Sequence, residues 1–207
     1  MKIQPTASPI LSTFICLMLL FSLAGCNGEE APERPEQLPF DQFFEALAEH
    51  CGNAYPGSLT LEPEGDEMLT GTELLIVHFR ECDENRLKLP FHIEIEEDDS
   101  WDRSRTWIFT RHEEGLELRH DHRRPDGSDD EPTMYGGYSV DEGTASRQEF
   151  KSVPRSEEEG EFLGWRVEII PGERYTYGTI RGDEWTWRVD FDLSESVDSP
   201  PAPWGHE

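Results

Sequence analysis

Basic residues are scarce in this chain: 18 lysines and arginines face 45 acids, for a net charge of −27. So acidic a surface repels phosphate backbones and anionic headgroups, which excludes nucleic-acid binding. The short catalytic signatures are missing too. There is no Gly-rich phosphate loop, dinucleotide fingerprint, Gly-x-Ser-x-Gly elbow or His-Glu-x-x-His helix. The acidic run "EPEGDE" (62–67) lacks the oxygen-ligand spacing of a calcium loop and reads as solvated. Cysteines number four, and only one long apolar run occurs.

That run is "ILSTFICLMLLFSLAG" (10–25), preceded by Lys2. Its length suits a signal-peptide core better than a spanning helix of about 20 apolar residues. It ends in Leu23-Ala24-Gly25-Cys26, which resembles the lipobox of bacterial lipoproteins. The resemblance implies removal of residues 1–25 and lipidation of Cys26, an anchor gaining about 0.8 kcal/mol per buried methylene. Asn27 follows where many inner-membrane lipoproteins carry aspartate, so the expected address is the periplasmic face of the outer membrane. Residues 26–39, rich in proline and glutamate, form a tether. Without Lys2 the mature chain holds 45 acids and 17 bases, a charge of −28.

With Cys16 in the signal and Cys26 lipidated, Cys51 and Cys82 remain. An even pair in an oxidising compartment predicts a disulfide.

Residues 40–207 read as one domain. Phe40, Phe43, Phe44, Leu47 and Cys51 make one helical stripe, with Asp41 as the expected N-cap and Gly52 as the stop. After Gly57 the period becomes two. In "RLKLPFHIEIE" and "WTWRVDFDL" apolar and polar residues alternate, as in strands with one wet face. Turn signals at 125–128, 171–172 and 181–184 help divide the rest into about ten strands, near 58–62, 73–81, 86–96, 104–111, 116–123, 132–139, 145–152, 163–170, 174–181 and 184–193. The proline-rich end, "SVDSPPAPWGHE", is expected to lie extended over the surface or to fray. An antiparallel meander with short links predicts a closed β-barrel or a sandwich.

A short helix feeding Gly52-Asn53-Ala54-Tyr55 and then a meander resembles the calycin superfamily of lipocalin-like barrels, whose usual entry is Gly-x-Trp. "DRSRTW" (102–107), "LRHDHRRPDGS" (118–128), "TMYGG" (133–137), "FDL" (191–193) and "PPAPWG" (200–205) together resemble a family of uncharacterised secreted bacterial proteins and lipoproteins. These resemblances imply a mainly-β, calycin-like barrel with one N-terminal helix. They imply no activity or cofactor.

Parity along the strands selects candidate site residues. If Leu116 and Leu118 face inward, so do His120 and His122, near one open end of the barrel. Residues two apart on a strand lie about 7 Å apart, close enough to share a metal, although spacing identifies no third ligand. Trp107 on the buried face carries Arg105 with it, able to hold a carboxylate or to pair with an internal acid. Trp187, on the inner face of the last strand, lines a ligand cavity or fills a core. The expected function is therefore a lipid-anchored envelope protein binding a small ligand through Arg105, Trp107, Trp187, His120 and His122. Its partners would be the membrane, through its lipid, and that ligand. The alternatives are a metal-dependent enzyme centred on His120 and His122, or an interaction lipoprotein with a filled barrel. No cofactor and no protein partner is indicated.

Overall fold

The computed structural model describes residues 37–62 and 69–206. The apolar run, Cys26, the tether to residue 36 and the acidic stretch from residue 63 to 67 lie outside them.

Helix α1 spans Pro39–Ala48. Leu38 is its extended cap residue and no side chain caps it. Proline at the first helical position needs no N–H partner there, so Asp41 is not the N-cap. Asp41 instead lies in the first turn, 3.5 Å from Arg111. Phe40, Phe43, Phe44 and Leu47 are buried, each gaining about 2 kcal/mol from removal of apolar surface. At Gly52 the backbone takes a positive φ of 85°, and its N–H bonds to the Phe79 carbonyl.

The strands are β1 (Ala54–Leu61), β2 (Leu75–His78), β3 (Glu81–Asp83), β4 (Arg86–Ile95), β5 (Ser100–His112), β6 (Gly115–His122), β7 (Tyr135–Tyr138), β8 (Arg147–Lys151), β9 (Leu163–Ile170), β10 (Arg174–Arg181) and β11 (Glu184–Asp192). Two features depart from the sequence reading. The segment 73–81 is not one strand, because the Arg80 N–H turns back to the His78 carbonyl and β3 follows separately, paired with β4. A second helix, α2 (Val153–Glu159), has proline in its first turn and Gly160 at a φ of 72° to end it.

Apart from β3 and the step from β7 to β8, successive strands pair antiparallel, and β1 pairs with β11. The ring of ten strands is thereby nearly closed. Its seam lies between β7 and β8, held by one bridge, Ser139 to Phe150, and by the Val140 N–H on the Glu149 carbonyl (3.2 Å). Gly136 permits the close approach of β7 to β6, and Gly137 that of β7 to β8 across the seam. A Cβ on the first would collide with the Leu118 carbonyl, and on the second with the Lys151 carbonyl.

Helix α1 closes one end of the barrel, above a filled interior that includes Phe79, Leu87, Phe109, Leu116, Ile169 and Tyr175. Toward the other end, the mouth, the pairing register slips three times, on β1, β5 and β11. Each bulge adds a residue to one strand and re-aims its side chains. An eight-stranded barrel is just wide enough to fill itself, and diameter grows with strand number. Ten strands leave the mouth half hollow.

The C-terminal segment crosses the outer face as a strap. Val197 N–H bonds to the Ala54 carbonyl, His92 Nε2 to the Pro201 carbonyl (3.0 Å) and Arg103 to the Ala202 carbonyl (2.7 Å). His206 Nε2 meets Asp121 Oδ2 at 2.7 Å. Three of the sequence motifs, around Arg103, Asp121 and Trp204, thus converge on one clasp behind the mouth strands. The disulfide forms between Cys51 and Cys82, Cα atoms 6.2 Å apart, and ties the turn after α1 to β3.

Candidate functional site

The hollow half of the barrel holds a cavity of about 340 Å³. Arg105, Trp107, His120, His122 and Trp187, the five residues that strand parity singled out, all line it. Phe91, Tyr135, Trp165, Tyr177, Thr179 and Thr186 complete the wall, which contains no leucine, isoleucine, valine or methionine.

The floor is a hydrogen-bonded aromatic layer. His120 on β6 is 3% exposed. Its Nδ1 bonds to the Tyr135 carbonyl at 3.1 Å, and its Nε2 lies 2.5 Å from the Tyr177 hydroxyl. A carbonyl only accepts, so Nδ1 carries the proton and Nε2 accepts from Tyr177. Burial drops the His120 pKa to about 3 and pushes that of Tyr177 well above the usual phenol value, so both groups are neutral. Tyr177 stacks on Trp107 with centroids 4.1 Å apart, and Trp107 stacks on Phe91 at 5.0 Å. Tyr135 lies parallel to His120 at 4.7 Å, and Trp165 packs at the same distance from that imidazole. In the ten-strand ring β10 stands four strands from β6 by way of the seam, so the bond from Tyr177 to His120 crosses the barrel interior.

Arg105 sits nearer the mouth, directly across the strand pair from His122. The bulge in β5 brings Asp102 to the same face, where Asp102 Oδ2 and Ser104 Oγ both take the Arg105 Nη1 (2.7 and 2.8 Å). The rest of the guanidinium has no protein partner among the described residues. Burial alone would raise the Asp102 pKa. Hydrogen bonds from Ser104 and the charge of Arg105 outweigh it and hold the carboxyl below its ordinary value. Burial, then the Arg105 charge, lowers the His122 pKa. The site therefore carries an arginine with unused donors beside a neutral imidazole.

As metal ligands the two histidines are poorly disposed. Both His120 nitrogens have protein partners, and His122 Nε2 lies 3.2 Å from the Tyr135 hydroxyl. Among the described residues no group of three or more His, Cys, Asp or Glu side chains could hold a metal ion.

Phe91, Tyr135, Trp165, Tyr177 and the two threonines were not singled out from sequence. The inward series Trp165-Val167-Ile169 and Tyr175-Tyr177-Thr179 carried a usable period of two, since Tyr175 shares the core with Ile169. Thr186 was not accessible that way. It reaches the wall beside Trp187 only because β11 bulges opposite Thr179 and Ile180.

Comparison with protein-family models, with curated proteins and with solved structures gives no match to this chain.

Proposed function

We propose that this is a lipid-anchored envelope protein that binds a small organic anion in the mouth half of its barrel. The lipobox-like Leu23-Ala24-Gly25-Cys26 and the acidic tether support the anchor. Asn27 supports the outer membrane, with the domain in the periplasm. A disulfide suits that oxidising compartment.

One observation carries the binding reading: a hollow of about 340 Å³ walled by aromatic rings, with an arginine only partly committed to Asp102. An aromatic cage would otherwise favour a cation. A fixed guanidinium inside the cage reverses that preference and offers charge-assisted hydrogen bonds to a carboxylate. The filled-barrel alternative conflicts with the cavity. Catalysis has less support: the buried His120–Tyr177 pair holds neither an acid nor a base poised near neutral pH.

Thermal unfolding of the wild type and of Arg105→Ala against a panel of small carboxylates tests the reading. Ligand at a hundred times Kd adds about 2.7 kcal/mol, or roughly 5–10 °C for a domain of this size. At least one acid should raise the wild-type Tm by that amount, with little effect on the variant. Equal shifts in both proteins, or none with any acid, would refute it.

A further inference from the structure

The cavity's chemistry goes further than an anion site. Its walls combine four phenyl or indole systems, Phe91, Trp107, Trp165 and Trp187, with Tyr135, Tyr177 and two imidazoles, whereas the filled half of the barrel is built with leucine, valine and isoleucine as well. An alkyl chain gains as much from aliphatic walls as from aromatic ones. A flat conjugated ring gains extra attraction from aromatic faces and edges. The volume lies at the small end for ligand sites, too short for a long acyl chain.

Polar groups sit on opposite walls. In the ten-strand ring β5 and β6 face β10 and β11. On the first wall stand the unused Arg105 donors and His122. With the Tyr135 hydroxyl donating to His122 Nε2, that neutral ring keeps its proton on Nδ1, a second donor beside Arg105. On the facing wall stands Trp187, 7% exposed, with its indole N–H shut off from the hollow. Thr179 and Thr186 line the same wall with hydroxyls 2.8 Å apart; one gives its proton to the other, so the pair keeps one O–H donor and free lone pairs for a third group.

We infer that the ligand is a small aromatic acid with a hydroxyl or carbonyl at the end away from its carboxylate. The carboxylate meets Arg105 and His122, the ring lies among Trp107, Trp165 and Tyr177, and the far oxygen meets the Thr179–Thr186 hydroxyl pair. This inference rests on the proposal that the barrel binds a small anion.

Isothermal titration with four probes tests it. They are 4-hydroxyphenylacetate, phenylacetate without the hydroxyl, 4-hydroxyphenethyl alcohol without the acid, and octanoate without the ring. The expected order places 4-hydroxyphenylacetate first. Loss of its carboxylate should weaken binding by about ten- to a hundredfold, as for a hydrogen bond to a charged group. Octanoate should bind at least tenfold more weakly. Thr179→Val with Thr186→Val should abolish the preference for 4-hydroxyphenylacetate over phenylacetate, read as the ratio of the two affinities in the same variant. If octanoate binds as tightly as the aromatic acids, and Arg105→Ala loses it, the anion site stands and the aromatic class is wrong. If phenylacetate equals 4-hydroxyphenylacetate, the far-end contact is wrong. If none of the four binds, this inference falls, and the panel with Arg105→Ala decides separately whether the anion site falls with it.

Discussion

Acid should unfold this protein well above the pH at which carboxylates titrate, because it buries histidines in neutral form. His92 is fully buried under the C-terminal strap and its pKa is lowered to about 4, chiefly by loss of solvent, with His78 and Arg103 adding repulsion. The His120 pKa falls to about 3 for the same main reason. Burial also lowers His50, His78 and His122. Below about pH 6.5 the unfolded chain takes up protons that the folded chain refuses, so stability falls as pH falls through that value. The loss continues until the folded-state pKa values are reached. At about 1.4 kcal/mol per unit, His92 and His120 together represent an upper limit of roughly 8 kcal/mol. That is comparable with the whole stability of a typical domain. Two uncompensated protons give a slope of about 2.7 kcal/mol per pH unit. Urea unfolding at pH 7.0, 6.0, 5.5 and 5.0, with the disulfide intact, reads this slope before Asp102 and Asp121 begin to contribute. His92→Gln should reduce the slope by up to about 1.4 kcal/mol per pH unit, the share of one proton. Stability that does not change between pH 6.5 and 5 would refute the assignment of both rings as buried and neutral.

Two further outcomes follow from the packing. His206→Ala leaves Asp121, 2% exposed, with Arg123 and Thr133 but without its strap partner. Chemical denaturation should show a loss of about 1–3 kcal/mol, and limited proteolysis should cleave the tail first. Replacing Cys51 and Cys82 together by serine opens a loop with a sequence separation of 31. It should cost roughly 3–4 kcal/mol by chain entropy, measured as the difference in urea midpoint from the oxidised wild type.

Strand alternation made most of the barrel legible. In "RLKLPFHIEIE" Leu87, Leu89, Phe91 and Ile93 enter the core in turn, and Leu116 and Leu118 carry His120 and His122 inward with them. The same rule gave Arg105 from Trp107. What it could not reach was any residue beyond a bulge. Asp102 shares a face with Arg105 three positions away because the register slips between them. Outward residues were a second blind spot. His92 does point away from the barrel, yet it is fully buried, because a proline-rich strap without periodicity lies over it. No local pattern encodes that contact, since it depends on Pro201 meeting a strand 109 positions away. Helix α2 was hidden for a different reason: seven residues carrying one buried serine show no apolar stripe.

The decisive measurement is native mass spectrometry of the intact protein purified without exchange of bound molecules, compared with the denatured sample. The account predicts an additional mass in the range of a small organic acid that leaves on denaturation and is missing from Arg105→Ala. The same extra mass on Arg105→Ala, or a metal ion in its place, would contradict it.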